Sequence, residues 1–174
     1  RALPCSTHRP LGFIRGERID ENQNGGVLRD RPASNGLLGD IVNSSPVFVG
    51  TPRAINRDQA PYPTDDLYSD FAAAQFSRRS VVYVGANDGM LHAFNALTGA
   101  ELFAYVPGVI IPELKNLTQP DYGTSLPHQY FVDGSPRAGD VYFSSSSDWH
   151  TVLVGTMGGG ARAVFALDVT DPDN

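Results

Sequence analysis

The sequence is poor in cysteine and in positive charge, and each shortage narrows the functions open to it. Its single cysteine, Cys5, is either a free thiol or half of a disulfide whose partner lies outside this stretch. Lys and Arg number 13 against 19 Asp and Glu, which gives a net charge of −6. Nucleic acid is bound through clustered basic residues, and the only such cluster is Arg78-Arg79. We therefore expect no nucleic-acid partner.

Long apolar runs are also missing, whereas glycine and proline are plentiful. No run approaches the roughly 20 apolar residues of a membrane-spanning helix, so we expect no transmembrane segment in this chain. The N-terminus lacks the apolar core of a signal peptide, so any export signal would lie outside it. The 18 glycines and 13 prolines separate many short apolar runs. This pattern predicts an all-β chain of short strands and turns, with at most short helices.

Two stretches, 81–99 and 151–171, repeat one another. Each has a β-branched run ending in Val-Gly, then a turn containing glycine, then a second apolar run and a polar turn. A Ser-Pro pair precedes each stretch, at Ser45 and at Ser135, so these pairs lie 90 positions apart, whereas the Val-Gly pairs lie 70 apart. Fixed repeats of this kind indicate an architecture of stacked units.

The repeat predicts a partial β-propeller of quinoprotein-like blades, each an antiparallel sheet. We expect a loop-rich segment over 1–38, about two blades over 39–174, and a surface insertion at 51–80 that accounts for the unequal spacing. Propellers have about 4–8 blades, so 39–174 is predicted to be a fragment of a longer propeller, or a short chain completed by assembly. An incomplete ring predicts marginal stability or self-association.

Two segments carry a helical pattern. Leu67, Phe71 and Ala74 stand at helical spacing and predict a short surface helix within 66–76. The stretch 110–117 predicts one or two further helical turns, with Pro112 near their start.

One segment resembles the opening of a calcium loop. Asp20, Asn22 and Asn24 place oxygen ligands at alternate positions, followed by Gly25 at the sixth position, as in an EF-hand. The twelfth position, which needs a bidentate Glu, is Arg31. A solvated polar turn is the alternative, so we commit to no metal site.

No catalytic constellation is predicted. The four histidines have no pair at metal-ligand spacing, and the serine run 144–147 lacks the Gly-x-Ser-x-Gly elbow of a hydrolase. The glycine-rich stretch 157–161 lacks the Lys-Ser/Thr ending of a phosphate loop. We therefore predict no catalytic residue and no cofactor site. Five aromatic residues outside the repeat are either a partner surface or ordinary exposed side chains: Tyr62, Tyr68, Phe71, Phe76 and Tyr122.

Several ordered blocks together resemble a known family. These are the segments 38–47, 83–94, 99–107, 130–136 and 160–172. They closely resemble the propeller of the PilC/PilY group, which comprises type IV pilus biogenesis factors and tip-associated adhesins. The resemblance runs from about residue 12 to the end and is least good in the insertion 51–80.

The resemblance implies a non-catalytic protein at the bacterial cell surface, associated with the pilus or outer membrane and acting in pilus assembly or tip adhesion. Its implied partners are pilus subunits such as minor pilins, or a host or abiotic surface. It also implies calcium in the parent protein, although this stretch carries no full calcium loop. The alternative function is a fragment of a quinone-dependent dehydrogenase, since such enzymes have similar blades.

Overall fold

The structure is a computed structural model that describes residues 9–33, 36–53 and 56–173. Within these residues it contains seven strands and a few short helices, so the predicted all-β class is confirmed. Cys5 and His8 lie outside the described residues. The elements are α1 (Arg9–Ile14), β1 (Val47–Val49), α2 (Tyr68–Ala74), β2 (Val81–Gly85), β3 (Leu91–Asn95), β4 (Glu101–Tyr105), β5 (Arg137–Phe143), β6 (Asp148–Thr156), β7 (Val164–Asp168) and the 3-10 helices Asn22–Asn24 and Gly108–Thr118.

The strands form two antiparallel sheets. The first sheet has the order β1-β2-β3-β4 and the second has the order β5-β6-β7. Gly89, in the turn between β2 and β3, has a φ of 94°, a conformation that glycine adopts without a steric penalty. After β3, the Asn95 carboxamide oxygen accepts the backbone N–H groups of Leu97 (2.9 Å) and Thr98 (3.1 Å). This Asx turn reverses the chain into β4.

The two sheets repeat one another with a register that differs from the sequence match by one residue. Asn95 and Asp168 each end a strand and each accept a backbone N–H from the following turn. They pair with Val81 and Val152 respectively, so equivalent residues of β2 and β6 lie 71 apart. The expected alignment of the Val-Gly pairs, 70 apart, is wrong. Because side chains alternate between faces, a one-residue slip moves every side chain of the strand to the other face.

The corrected register explains which residues form the core between the sheets. Leu153 is fully buried, and its equivalent in the first sheet is Val82 rather than Tyr83. The face of the first sheet that carries Tyr83 and Leu91 packs on the face of the second that carries Leu153. At the rim, the rings of Tyr105 and Phe165 lie 5.3 Å apart. Equivalent sheets thus stack in the same sense, as propeller blades do.

Both predicted helical segments are confirmed, one with a different environment. Helix α2 falls inside 66–76, but its first residue, Tyr68, is buried, so it is not simply a surface helix. The 3-10 helix Gly108–Thr118 covers 110–117 and adds Ile110, Leu114 and Leu117 to the core.

The N-terminal segment contains more structure than its composition predicts. Helix α1 lies in the stretch expected to be mostly loop, and Phe13 on this helix is buried beneath the Arg31 guanidinium. The boundary between 1–38 and 39–174 remains a prediction. Among the described residues, the helices are too short or too polar to cross a lipid bilayer.

Candidate functional site

A seam of hydrogen bonds joins the two sheets at repeat-equivalent residues. The Asn43 backbone N–H and side-chain amide donate to the two oxygens of Asp133, at 3.2 and 2.8 Å. The Ser45 N–H donates to the Ser135 hydroxyl at 2.8 Å, and that hydroxyl donates to the Asn43 carbonyl at 3.3 Å. Asn43 and Asp133 are 90 residues apart, as are Ser45 and Ser135. The spacing of the Ser-Pro turns is therefore the sequence signal that identifies this seam.

Asn87 extends the seam across the end of the first sheet. Its side-chain oxygen accepts the Phe131 N–H at 3.1 Å, and its amide nitrogen donates to Asp40 at 2.9 Å. Burial alone would raise the pKa of Asp40, but hydrogen bonds from Asn87 and His128 outweigh it and lower that pKa. Asn87 therefore joins the segment before β1 to the segment before β5 and fixes their relative position.

The insertion 51–80 lies against the second sheet and contributes to its core. Trp149 on β6 donates its indole N–H to the Asp66 carbonyl at 3.0 Å. Its ring lies 4.9 Å from Tyr68, 5.6 Å from Tyr62 and 6.4 Å from Phe71. Four of the five aromatics considered as a partner surface therefore pack within the molecule, because Tyr122 also lies 5.0 Å from the Arg29 guanidinium. Phe76, 78% exposed, is the exception.

A buried polar network fixes the insertion in place. The Tyr68 hydroxyl and the Thr151 hydroxyl each donate to Asp140, both at 2.6 Å. Arg78 donates to the Thr151 hydroxyl at 2.7 Å and to the Gly50 carbonyl at 3.1 Å. Burial, together with the hydrogen bond to the Asp140 carboxylate, raises the pKa of Tyr68. The network spans both sheets and the insertion, and it connects residues that lie far apart in the sequence.

In the candidate calcium loop, a buried carboxylate is paired with an arginine of the same segment. The carboxylate of Glu21, which is fully buried, accepts from the Arg31 guanidinium at 2.6 Å. Asp20 faces Arg9 at 3.5 Å, and the Asn24 side chain donates its amide N–H to the Arg18 carbonyl at 2.8 Å. Burial would raise the pKa of Glu21, but hydrogen bonds from Arg31 and Gln23 outweigh it and lower that pKa.

Arg31 is thus the residue that closes this loop. The hydrogen bonds of this segment do not join Asp20, Asn22 and Asn24 to one another. The Asn22 carbonyl accepts the N–H of Gly25, and the Asn22 N–H donates to the Leu28 carbonyl. In the described parts of the chain, no group of three or more His, Cys, Asp or Glu side chains is arranged to hold a metal ion.

The three described histidines face carboxylates. The ring of His92 lies between Asp88 and Glu101, with ring nitrogens at 3.0 and 2.6 Å from their oxygens. His128 faces Asp40 at 3.0 Å and His150 faces Asp168 at 2.6 Å. His92 lies on β3 and is only 4% exposed.

Two of the clefts formed by the described residues lie beside the sheets. The larger, about 840 Å³, lies between the first sheet and the N-terminal segment, and we call it the N-terminal cleft. Its walls include Leu11, Ile14, Leu37, Met90, His92 and Phe94. The second, about 580 Å³, lies between α2 and the second sheet and is lined by several aspartates.

Comparison with known proteins gives consistent matches. A family model described as the PilY1 beta-propeller domain matches residues 38–174. A type IV pilus biogenesis factor PilY1 homolog from Xylella fastidiosa is 47% identical over 173 residues. The type IV pilus biogenesis factor PilY1 of Pseudomonas aeruginosa strain PAK is 44% identical over 164 residues. These alignments cover 99% and 94% of this chain but only 14% and 13% of the relatives.

A solved structure supports the same assignment. The crystal structure of the Pseudomonas aeruginosa PilY1 C-terminal domain superposes with a TM-score of 0.55 at 40% sequence identity. The superposition covers 73% of this chain and 23% of that one. The match of the family model, the identity to the curated relatives and the stacked antiparallel sheets agree, and the chain belongs to the PilY1 β-propeller family.

Proposed function

We propose that this chain is a non-catalytic scaffold of the type IV pilus system, acting in pilus assembly or tip adhesion at the bacterial cell surface. The observation that carries the proposal is the family match over 38–174, together with relatives named as type IV pilus biogenesis factors. The chain spans about 14% of the length of the first of these relatives. The proposal therefore concerns the contribution of this propeller segment to a larger protein.

The contacts of the buried polar side chains favour a scaffold over an enzyme. Asn87, Asp133 and Ser44 each bond to backbone groups of another segment. Thr151 accepts from Arg78 and donates to Asp140. These groups hold strands and loops in register, which is the use expected of polar residues that build a rigid surface. The proposed partners are minor pilins, or a host or abiotic surface.

The alternative is a fragment of a quinone-dependent dehydrogenase, which the blade pattern alone permits because fold does not determine function. The named relatives favour the pilus role. Calcium binding by the parent protein remains a proposal that these residues do not support, since Arg31 fills the candidate loop.

The test is made in the source bacterium with the full-length gene. Deleting the gene is expected to reduce the number of surface pili, and the wild-type gene is expected to restore it. Two variants then address this segment. Asn87→Ala, which removes the bonds to Asp40 and to the Phe131 N–H, is expected to restore pili poorly. Asn116→Ala, on the 3-10 helix, is the matched control and is expected to restore them fully. Normal piliation in the deletion strain would contradict the proposal, and quinone-dependent oxidation by the purified protein would favour the alternative.

A further inference from the structure

His92 is held between two carboxylates on the face of the first sheet that looks away from the second sheet. Its Nδ1 lies 2.6 Å from a Glu101 oxygen, and its Nε2 lies 3.0 Å from an Asp88 oxygen. Ionised carboxylates only accept hydrogen bonds, and a neutral imidazole has one N–H to donate. The geometry therefore matches the doubly protonated imidazolium, because each ring nitrogen faces an acceptor.

A β-bulge places Glu101 beside this histidine. Ala93 pairs with Phe103 and Phe94 pairs with Glu101, so Leu102 is the extra residue on β4. Without the bulge, Phe94 would pair with Leu102, and Glu101 would project from the opposite face of the sheet. Bulges often redirect a side chain in this way. The strand irregularity is thus what allows Glu101 to reach His92.

The second sheet has no ion pair at the position equivalent to His92, so the fold does not require one there. Gly85 pairs with Leu91 and its equivalent Thr156 pairs with Val164, so His92 corresponds to Phe165 in the second sheet. Phe165 packs against Tyr105 of the first sheet. The same place in the first sheet carries a titratable ring with two charged partners.

The two carboxylates differ in their freedom to move. Asp88 is 14% exposed in its side chain and also accepts the Gly39 N–H at 2.7 Å and the Met90 N–H at 3.1 Å. Glu101 is 49% exposed in its side chain and stands at the wall of the N-terminal cleft. When the ring loses a proton, Asp88 keeps its partners, and Glu101 is the group that can turn to water.

We propose that Asp88, His92 and Glu101 form a pH-sensitive clamp that fastens β4 to the middle of the first sheet beside the N-terminal cleft. The clamp is closed when the imidazole carries two protons. It opens on the Glu101 side when the ring loses one. The other charged group on the cleft wall is Arg15 from the segment after α1, and the remaining neighbours, Met90 and the stacked ring of Phe94, are apolar.

The direction of the pH dependence follows from the balance of effects on the histidine. Burial would lower the pKa of His92, but hydrogen bonds and the charges of Asp88 and Glu101 outweigh it and raise that pKa. A raised folded-state pKa stabilises the fold fully below the unfolded value of about 6.5, and this stabilisation is lost as the pH rises through the folded value. The clamp is therefore closed below the unfolded-state value and opens as the pH rises through the raised pKa of His92.

The first test is titration of the histidines in the 174-residue chain by NMR of the labelled imidazole carbons. We expect His92 to titrate above 6.5, and Glu101→Gln to lower its pKa. Glu113→Gln is the matched control, since Glu113 bonds to Asn116 and not to a histidine, and it should leave His92 unchanged. A His92 pKa at or below 6.5, or one that Glu101→Gln leaves unchanged, would overturn the proposal.

The second test replaces His92 by phenylalanine, the residue that stands at the equivalent position of the second sheet. His92→Phe should remove the pH dependence that His92 contributes to unfolding between pH 6 and pH 9. The folded-to-unfolded ratio of the wild type should fall relative to the variant, by about tenfold for each unit that separates the two pKa values of His92. An equal fall in both proteins would overturn the clamp. If the variant does not fold, the titration of the wild type and of Glu101→Gln decides.

Discussion

Two buried tyrosines differ in whether the hydroxyl has a partner. Tyr68 is 1% exposed and donates to Asp140, whereas Tyr83 is 0% exposed and its hydroxyl has no hydrogen-bond partner among the described residues. Burial raises the pKa of Tyr83 to about 12, so its hydroxyl stays neutral at physiological pH. A buried polar group without a partner keeps its full cost of desolvation.

The two tyrosines therefore predict opposite effects of the same substitution. Tyr68→Phe should lower the free energy of unfolding by about 1–3 kcal/mol, because it leaves Asp140 short of a donor. Tyr83→Phe should leave the free energy of unfolding unchanged or raise it by up to about 1 kcal/mol. Urea unfolding of both variants at pH 7 measures the difference. A loss at Tyr83 as large as that at Tyr68 would show that the Tyr83 hydroxyl has a partner.

Adjacent arginines provide a second contrast at the residue scale. Arg78 donates to Gly50, Thr151 and Thr170, whereas Arg79 forms a surface ion pair with Asp173 at 2.9 Å. Arg78→Ala should cost about 2–3 kcal/mol of unfolding free energy, since several charge-assisted hydrogen bonds are lost. Arg79→Ala should cost less than about 1 kcal/mol. Thermal unfolding of both variants tests this, and equal losses would argue against a role for Arg78 in joining the sheets.

Side-chain hydrogen bonds and ion pairs of this kind are the feature that the sequence predicts least well. The bond between Tyr68 and Asp140 spans 72 residues, and no local pattern indicates it. Glu21 and Arg31 lie close in sequence, yet the calcium-loop spacing indicates Asp20, Asn22 and Asn24 instead. A chemically plausible spacing does not show which charged group will fill the centre of a loop.

At the scale of elements, the sequence predicts the hairpins well and their register less well. The sequence Asn87-Asp88-Gly89 predicts the reversal between β2 and β3, because a tight turn needs a residue with positive φ and Gly89 supplies it. The register of β6 cannot be read in this way. Val-Gly occurs at both Val84-Gly85 and Val154-Gly155, and only the strand pairing shows that these pairs are offset by one position.

The register predicts which side chains of β6 support the core. Leu153 is fully buried and Val154 is 39% exposed. Leu153→Ala should lower the free energy of unfolding by about 2–5 kcal/mol, whereas Val154→Ala should lower it by less than about 1 kcal/mol, as removal of exposed methyl groups does. Chemical denaturation of both variants makes the measurement, and a loss at Val154 as large as the loss at Leu153 would contradict this assignment of the two faces.

At the scale of the whole molecule, the two outer faces are not equally covered. The N-terminal segment lies over part of the outer face of the first sheet. On the second sheet, Val164 is 68% exposed, although its equivalent in the first sheet, Leu91, is fully buried against the second sheet. An apolar face of this kind is a site of association.

We therefore expect the isolated 174-residue chain to self-associate. Val164→Lys should shift the sedimentation of the chain toward the monomer, because the charge disfavours contact at this face. Leu97→Lys is the control, since Leu97 is 93% exposed on a turn of the first sheet and its substitution should change sedimentation little. Analytical ultracentrifugation over a range of concentrations makes the measurement. A wild-type chain that remains monomeric throughout would contradict the expectation.

The hydrogen-bonded seam has an evolutionary consequence. Asn43 bonds to Asp133, and Ser45 bonds to Ser135, at the same position of successive repeats. A tandem duplication of one repeat unit would therefore reproduce the serine-to-serine bond without any mutation. The Asn43–Asp133 bond would instead place two identical side chains together, and one exchange between Asn and Asp would restore it. Gain of a whole blade by recombination accordingly needs little repair at this seam.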